Sequence, residues 1–297
     1  MPAHPTRVPE ARLAVLLDGY RGGLRRARWR TLAGVVTVAA LALLGAWVAE
    51  VDLPRLAAHL GDFFGYFDRI TAAEGTPGQR VWNNPAEWFW GWHRWLPLLG
   101  DTLLIAYLGT AAGAVGGMLL SFAAASNLVP NRWLRGAVRR FLEFCRTVPD
   151  IVFALVFVMA FGLGPVPGVL AIAIHTVGAL GKLLSEVVEN IDTRTVEGVR
   201  AAGASWVAVV RFAVLPQVLP NFASYAMLRF EVNVRQASVL GFVGAGGIGQ
   251  DLIEAIRKFY LNDVSAILLL LIVTVMLIDL GTERLRHRLI GAMEGGR

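Results

Sequence analysis

The sequence predicts an all-α, polytopic transmembrane bundle of about six spans, and three observations predict it. The first is composition. Of 297 residues, 56% are hydrophobic before the 32 glycines are counted, only 17% are charged, and mean hydropathy is +0.56. A soluble domain is roughly 45–50% apolar with glycine included and about 25% charged, so an ordinary soluble enzyme, a disordered chain and a fibrous repeat are excluded. The second is a succession of apolar runs near the roughly 20 residues that cross a bilayer. The third is the uneven placement of basic residues between those runs. The single cysteine, Cys145, excludes an internal disulfide framework and a cysteine-only metal site.

The runs come in this order. Residues 31–49 follow Arg21, Arg25, Arg26, Arg28 and Arg30. This run exceeds the apolar core of a secretory signal and lacks a small-x-small site at its end, so it reads as an uncleaved anchor. Further spans are expected at 96–124, 148–163, 168–188, 220–236 and 264–280. The run at 148–163 is short, so a tilted or partly re-entrant helix is open there. Gly164, Pro165 and Pro167 make the turn that follows it.

Seven arginines lie in 1–30, five in 126–149, three in 186–219 and four in 282–297. The alternate loops hold fewer basic residues, four in 51–95 and two in 239–263. Cytoplasmic loops carry the excess of positive charge, which predicts both termini inside. The formal charge of +6 then belongs to topology and calls for no nucleic-acid partner. Residues 1–30 form a cytoplasmic N-terminal tail, 31–95 the first span and an external aromatic-rich loop, 96–281 the core, and 282–297 a cytoplasmic C-terminal tail. In the external loop Trp82, Trp88, Phe89, Trp90, Trp92 and Trp95 suit the headgroup layer; an aromatic ligand cage is the other reading.

Chemistry-bearing motifs are scarce. There is no G-x-x-x-x-G-K-[ST], H-E-x-x-H or G-x-S-x-G pattern. Gly244, Gly246, Gly247 and Gly249 spell G-x-G-x-x-G, but the run follows a membrane helix and has no strand before it. It reads as a sharp, close-packed turn beside a cavity, a possible gate or hinge, and not as a nucleotide site. Gly109, Gly113 and Gly117 repeat every four residues and suit close helix packing. His175, inside a span, reads as a hydrogen-bonded core residue or a proton relay. Lys182 sits where it can snorkel to water. No catalytic residue, metal site or bound cofactor is expected.

The internal segment 190–219 is the most informative. Its stretch 197–216, EGVRAAGASWVAVVRFAVLP, reads as two short helices bent at Gly203. Glu197 falls near the first helix start, where a carboxylate meets the helix dipole. Ser205 caps the second, and Trp206, Val209, Val210 and Ala213 share a face. Pro216 and Pro220 then stop the helix. A compact amphipathic hairpin suits a groove on a soluble partner; a plain surface connector is the alternative.

Within the fifth run, Arg229, Glu231 and Arg235 are costly in hydrocarbon and must face protein or water. Helical angles put Tyr225, Arg229, Asn233 and Gln236 on one stripe, with Glu231 and Arg235 opposite, four apart and able to pair. The stripe either lines a route and hydrogen-bonds an anion, or belongs to a structural network between helices or protomers.

The stretch 197–216 resembles the EAA loop of ATP-binding-cassette importer permeases: Glu197, Gly203, Leu215 and Pro216 fall on its positions, while Gly198 and Val199 replace two alanines and Ala213 an isoleucine. Residues 101–292 look closer still to phosphonate-importer permeases through RTVPD at 146–150, GLGP at 162–165, the run 175–189, LPQVLP at 215–220 and VNVRQASVLGFVGAGGIG at 232–249. That resemblance implies a type I importer permease fold. It implies a loop, with Glu197, Arg200, Ala202, Gly203, Ser205, Leu215 and Pro216, that docks on a separate ATPase dimer holding ATP and magnesium. It also implies a substrate-binding protein, a second permease copy and a phosphorus oxyanion as cargo: phosphonate, or phosphite or phosphate, whose permeases belong to the same wider group. A membrane-embedded lipid enzyme would need a nucleophile, base or metal cluster that is not found. A stand-alone transporter would show internal repeats and no docking loop.

Overall fold

The computed structural model describes residues 10–73 and 78–294. Among them the chain is helical, apart from connecting turns and one isolated antiparallel bridge between Ala72 and Arg80. It divides into two compact units, Met1–Tyr66 and Phe67–Arg297.

In the first unit, α1 (Glu10–Val48) carries its apolar window at Gly22–Val48. The expected tail at 1–30 is therefore helical from Glu10 on; residues 1–9 lie outside the described part. Leu41, Leu43 and Val48 are exposed, as lipid-facing side chains are. The segment expected as an external loop also folds. Asp52 accepts a hydrogen bond from the Arg55 N–H at 2.9 Å and starts α2 (Leu53–Ala58). Helix α3 (Leu60–Thr71) follows and runs across the division between the units.

In the second unit a single helical turn, Val81–Asn83, and α4 (Pro85–Trp88) lead to α5 (Trp92–Ala124), a full span. The region expected as a basic loop holds α6 (Arg132–Thr147), capped by Asn131, whose side chain accepts from the Trp133 and Leu134 N–H groups. Helix α7 (Asp150–Phe161) departs at 87°. Its 12 residues reach about 18 Å, short of the roughly 30 Å of hydrocarbon, so the third expected span is half of a bent pair. Gly162 (φ +87°) and Gly164 (φ +144°) turn the chain into α8 (Pro165–Glu189).

The glycine stripe does what its spacing predicts. A Cβ on Gly113 would lie 2.5 Å from Cβ of Thr176, and one on Gly117 3.0 Å from the Gly181 nitrogen. Helices α5 and α8 thus pack backbone to backbone. On the next face of α8, a Cβ on Gly178 would meet the Arg146 nitrogen at 2.5 Å, which seats α6.

Beyond α8 lie α9 (Thr193–Ala201) and α10 (Trp206–Val209), then one wide π turn at Val210–Val214. Helix α11 (Leu215–Leu240) continues directly from it. The prolines do not stop the helix as expected. Pro216 occupies its first turn, where the missing N–H costs nothing, and Pro220 is carried inside it. After the glycine turn come α12 (Gly249–Arg257) and α13 (Leu261–Glu294), which extends through the expected C-terminal tail as far as the described residues go. Among the described residues five helices are long and apolar enough to cross a membrane, six if α6 and α7 count as one.

The aromatic segment is pinned more than anchored. Trp95 is buried, while Trp88 donates to Ser265 Oγ at 2.9 Å and Trp90 to Asp263 at 2.8 Å at the start of α13. Trp82, Trp90 and Trp92 remain exposed.

Candidate functional site

Two regions on the α8–α11 frame hold the functional residues expected from the sequence. The first is the bent hairpin of α9 and α10. Asp192, not a residue of the glutamate's own turn, caps α9 by accepting from the Arg194 N–H at 3.0 Å. Glu197 therefore lies mid-helix, a correction to its expected place at the start. Gly203 (φ +79°) supplies the left-handed turn that ends α9, and Ser205 caps α10 through the Ala208 N–H, both as expected.

Apart from Trp206, the shared apolar face is not free for a partner. Val209, Ala213 and Val214 are almost wholly buried against Leu128, Leu184 and Val188 of the same chain. Polar bonds fix the base as well. The Asp192 N–H donates to Gln217 Oε1 at 3.0 Å, tying the entry of the hairpin to its exit. Arg139 and the Ser126 N–H both bond to Glu189, and Arg200 donates to the Asn127 carbonyl at 3.1 Å. What stays outward is a tip of Trp206, Val207 and Phe212. Around it Glu197, Arg200, Ala202, Gly203, Ser205 and Pro216 are exposed, while Leu215 is half-buried in the base. Glu197 makes no ion pair among the described residues.

The second region is the polar strip of α11. Asn233 is completely buried, and its amide donates to Thr110 Oγ1 of α5 at 2.7 Å and to Thr176 Oγ1 of α8 at 2.9 Å. One turn away Arg229 donates to His175 Nδ1, which requires a neutral imidazole with its proton on Nε2. Gln236 shares with Asp150 and Arg235 a cavity of about 220 Å³. Three atoms of this strip are buried without a hydrogen-bond partner among the described residues: Arg229 Nε, Asn233 Oδ1 and Gln236 Oε1. A buried polar atom left unpaired costs about 1–3 kcal/mol, and three on one face of one helix are a pattern.

Tyr225 is apart from them. It packs on the hairpin base and lines a separate space of about 480 Å³ with Glu186, Asn190 and Gln217. The expected Glu231–Arg235 pair does not form. Glu231 accepts from Thr282 and Arg235 pairs with Asp279 at 3.2 Å, both on α13. Tertiary partners outcompete a local pair worth only about 0.2–0.5 kcal/mol.

The glycine turn is tightly packed. Gly244, Gly246 and Gly247 have φ of +83°, +86° and +79°, conformations that glycine alone adopts cheaply. The Gly244 carbonyl accepts from the Gly164 N–H at 3.0 Å, the Ile248 N–H donates to Thr102 Oγ1 at 2.9 Å, and Gly249 is buried against Ser238.

Sequence reasoning did not assign roles to Thr110, Thr176, Asp150 or Asp279. Asp150 carried a signal, a carboxylate after Val148-Pro149 at the mouth of an apolar run. The two threonines carried none, because a hydroxyl bonded back to its own helix is ordinary in a span.

Residues 117–293 match the family model described as binding-protein-dependent transport system inner membrane component. The chain is 38% identical over 253 residues to the phosphite transport system permease protein PtxC of Stutzerimonas stutzeri, covering 84% of this chain and 86% of that one. It is 53% identical over 121 residues to the putative cryptic phosphonate transport system permease protein PhnE2 of Escherichia coli K12, covering 41% of this chain and 99% of that one. Among solved structures, the inward-facing MetNI methionine ABC transporter aligns with a TM-score of 0.58 at 22% identity, over 69% of this chain and 98% of that chain. At that identity the likeness speaks for the backbone fold alone.

Proposed function

We propose, from the premise that this chain belongs to the family of binding-protein-dependent transport system inner membrane components, that it is the permease of an ATP-driven importer for phosphonate or a related phosphorus oxyanion. As a member of that family it is a multi-pass inner-membrane transport subunit and not an enzyme. Hydrolysis belongs to a separate ATPase and cargo delivery to a substrate-binding protein. Two copies of the permease enclose one route, with both termini in the cytoplasm.

The observation that carries the reading is the construction of the hairpin. A base sealed by Val209, Ala213, Val214 and the Asp192–Gln217 tie presents Trp206, Val207 and Phe212 outward. Hydrophobic side chains held in water on a rigid seat cost free energy unless a partner covers them. Glu197, Arg200, Ala202, Gly203, Ser205, Leu215 and Pro216 form the rest of the contact with the motor. Because α10 runs through the π turn into α11, a push on the tip is delivered along the same helix to Arg229 and Asn233. Arg229 offers its unpaired Nε–H to the passing anion, Asn233 and Gln236 line the route beside it, and the turn at Gly244–Gly249 acts as hinge. Glu231 and Arg235 hold α13 to α11.

The test is uptake into proteoliposomes that contain the permease, with the ATPase, internal ATP and the binding protein supplied or withheld, comparing methylphosphonate, phosphite and phosphate. Uptake of one of these anions requires every component. Uptake by the permease alone, or transport of none of the three, contradicts the reading.

A further inference from the structure

The turn between α12 and α13 holds an aromatic ring at a double cost. Helix α12 closes on Lys258 with two capping bonds: the Tyr260 N–H donates to the Ala255 carbonyl at 3.0 Å and the Phe259 N–H to the Ile256 carbonyl at 3.2 Å. This pattern ends a helix on a residue in the left-handed region, where glycine usually stands because it has no Cβ to clash. Here that residue is Phe259, at φ +58°, and its side chain is 80% exposed. A strained backbone and an apolar ring in water are both unfavourable, and such exposure leaves little packing to offset either. Residues held in this way gather at binding and switch sites.

Helix α5 fixes the membrane face on which this ring stands. Its 33 residues reach about 50 Å, well over the roughly 30 Å of hydrocarbon. At its far end Phe122, with Leu128 just beyond, packs into the hairpin base. At its near end Arg94 pairs with Asp251 of α12 at 2.7 Å, and Trp90, just before α5, donates to Asp263 of α13. The α12–α13 turn and the hairpin therefore lie on opposite sides of the membrane. Trp90 and Tyr260, both exposed, line one cavity of about 100 Å³ with Lys258, so the exposed aromatics of the two segments adjoin.

The charges beside the ring are unevenly committed. Arg94 bonds to both Asp251 and Glu254, and Lys258 pairs with Glu254 at 2.5 Å. Arg257, exposed in the last turn of α12, has no acidic partner among the described residues. A projecting ring next to an uncommitted cation fits an apolar pocket with a carboxylate on its rim. We infer that Phe259 is an anchor by which the substrate-binding protein docks on this permease, the pocket and its carboxylate belonging to that protein. The inference rests on the importer function proposed above. The partner must approach from the side opposite the motor, and the family to which the chain belongs is binding-protein-dependent.

The experiment measures binding of the fluorescently labelled substrate-binding protein to the full permease–ATPase complex in nanodiscs, for wild type, Phe259→Gly and Phe259→Tyr. Glycine relieves the strained turn, so the melting temperature holds or rises. The Kd nevertheless weakens about tenfold or more, as on loss of a hot-spot aromatic, and tyrosine keeps most of the affinity. Arg257→Gln slows association and flattens its salt dependence. Equal Kd values for wild type and Phe259→Gly overturn the proposal, as does a lowered melting temperature in Phe259→Gly, which means that the ring packs within the fold. A label at Phe259→Cys on a Cys145→Ala background that is quenched by brominated lipid, or that cross-links to a second permease, overturns it by showing another occupant. Wild-type uptake that needs no binding protein strikes the importer function itself and the anchor with it. That result is read in the uptake assay and is distinct from equal Kd values, which remove the anchor alone.

Discussion

The two ends of the path from hairpin to mid-membrane are built on opposite terms. At the hairpin base apolar side chains are sealed and most polar groups are paired, with Glu189, Gln217 and Asp192 each tied to a neighbour across the loop. In the strip of α11, by contrast, Arg229, Asn233 and Gln236 are packed in yet each keeps an unpaired atom. The base spends its contacts on rigidity. The strip keeps unpaired atoms of both kinds, a donor on Arg229 and acceptors on Asn233 and Gln236.

The contrast is broken most violently by charge in the base. Val209→Asp buries an unpaired carboxylate at a position that is 1% exposed, at a cost of several kcal/mol, and is expected to abolish the monodisperse, folded permease in size-exclusion chromatography. Phe212→Asp, three residues on and exposed, is expected to leave the melting temperature unchanged while co-purification of the ATPase falls about tenfold or more, the effect of removing a hot-spot aromatic. If both variants unfold the protein, tip and base are not separate.

Next in size is Arg229→Met. Removing a poorly satisfied, half-buried cation need not destabilise when packing is kept. ATP-driven uptake is expected to be lost with assembly and thermal stability intact; undiminished uptake would refute the route through this strip. Asn233→Leu removes both threonine bonds and is expected to cost about 1–3 kcal/mol, seen as a lowered melting temperature together with reduced uptake. The smallest effect belongs to Arg235→Gln. Its pair with Asp279 is about half exposed on both sides, and such pairs contribute roughly 0–1 kcal/mol, so stability should move little.

Much of this was legible before the fold. The spans at 96–124, 168–188 and 264–280 were visible because hydrocarbon imposes a length on any helix that crosses it. Gly203 and Ser205 announced their turn and cap through local chemistry that needs no neighbour. The 109–113–117 stripe announced close packing in the same way. What stayed hidden depends on chain segments far apart in sequence. Nothing local says that Arg235 reaches Asp279 and not Glu231, that Thr110 and Thr176 converge on Asn233, or that the apolar side of the hairpin is consumed by its own membrane domain. Glu197 was misplaced by about one turn because Asp192 caps the helix five residues earlier and starts it at Thr193. The passage through Pro216 was missed because the proline follows the wide turn and falls in the first turn of α11, where it is tolerated.

The account stands most directly on Glu197→Lys, measured by retention of the ATPase on the tagged permease alongside uptake in the same membranes. Glu197 is exposed and makes no ion pair among the described residues, so reversal should leave folding untouched. The expected result is a folded permease from which the ATPase dissociates and through which no anion moves. An unaltered complex with unaltered uptake would mean that force enters this subunit somewhere else.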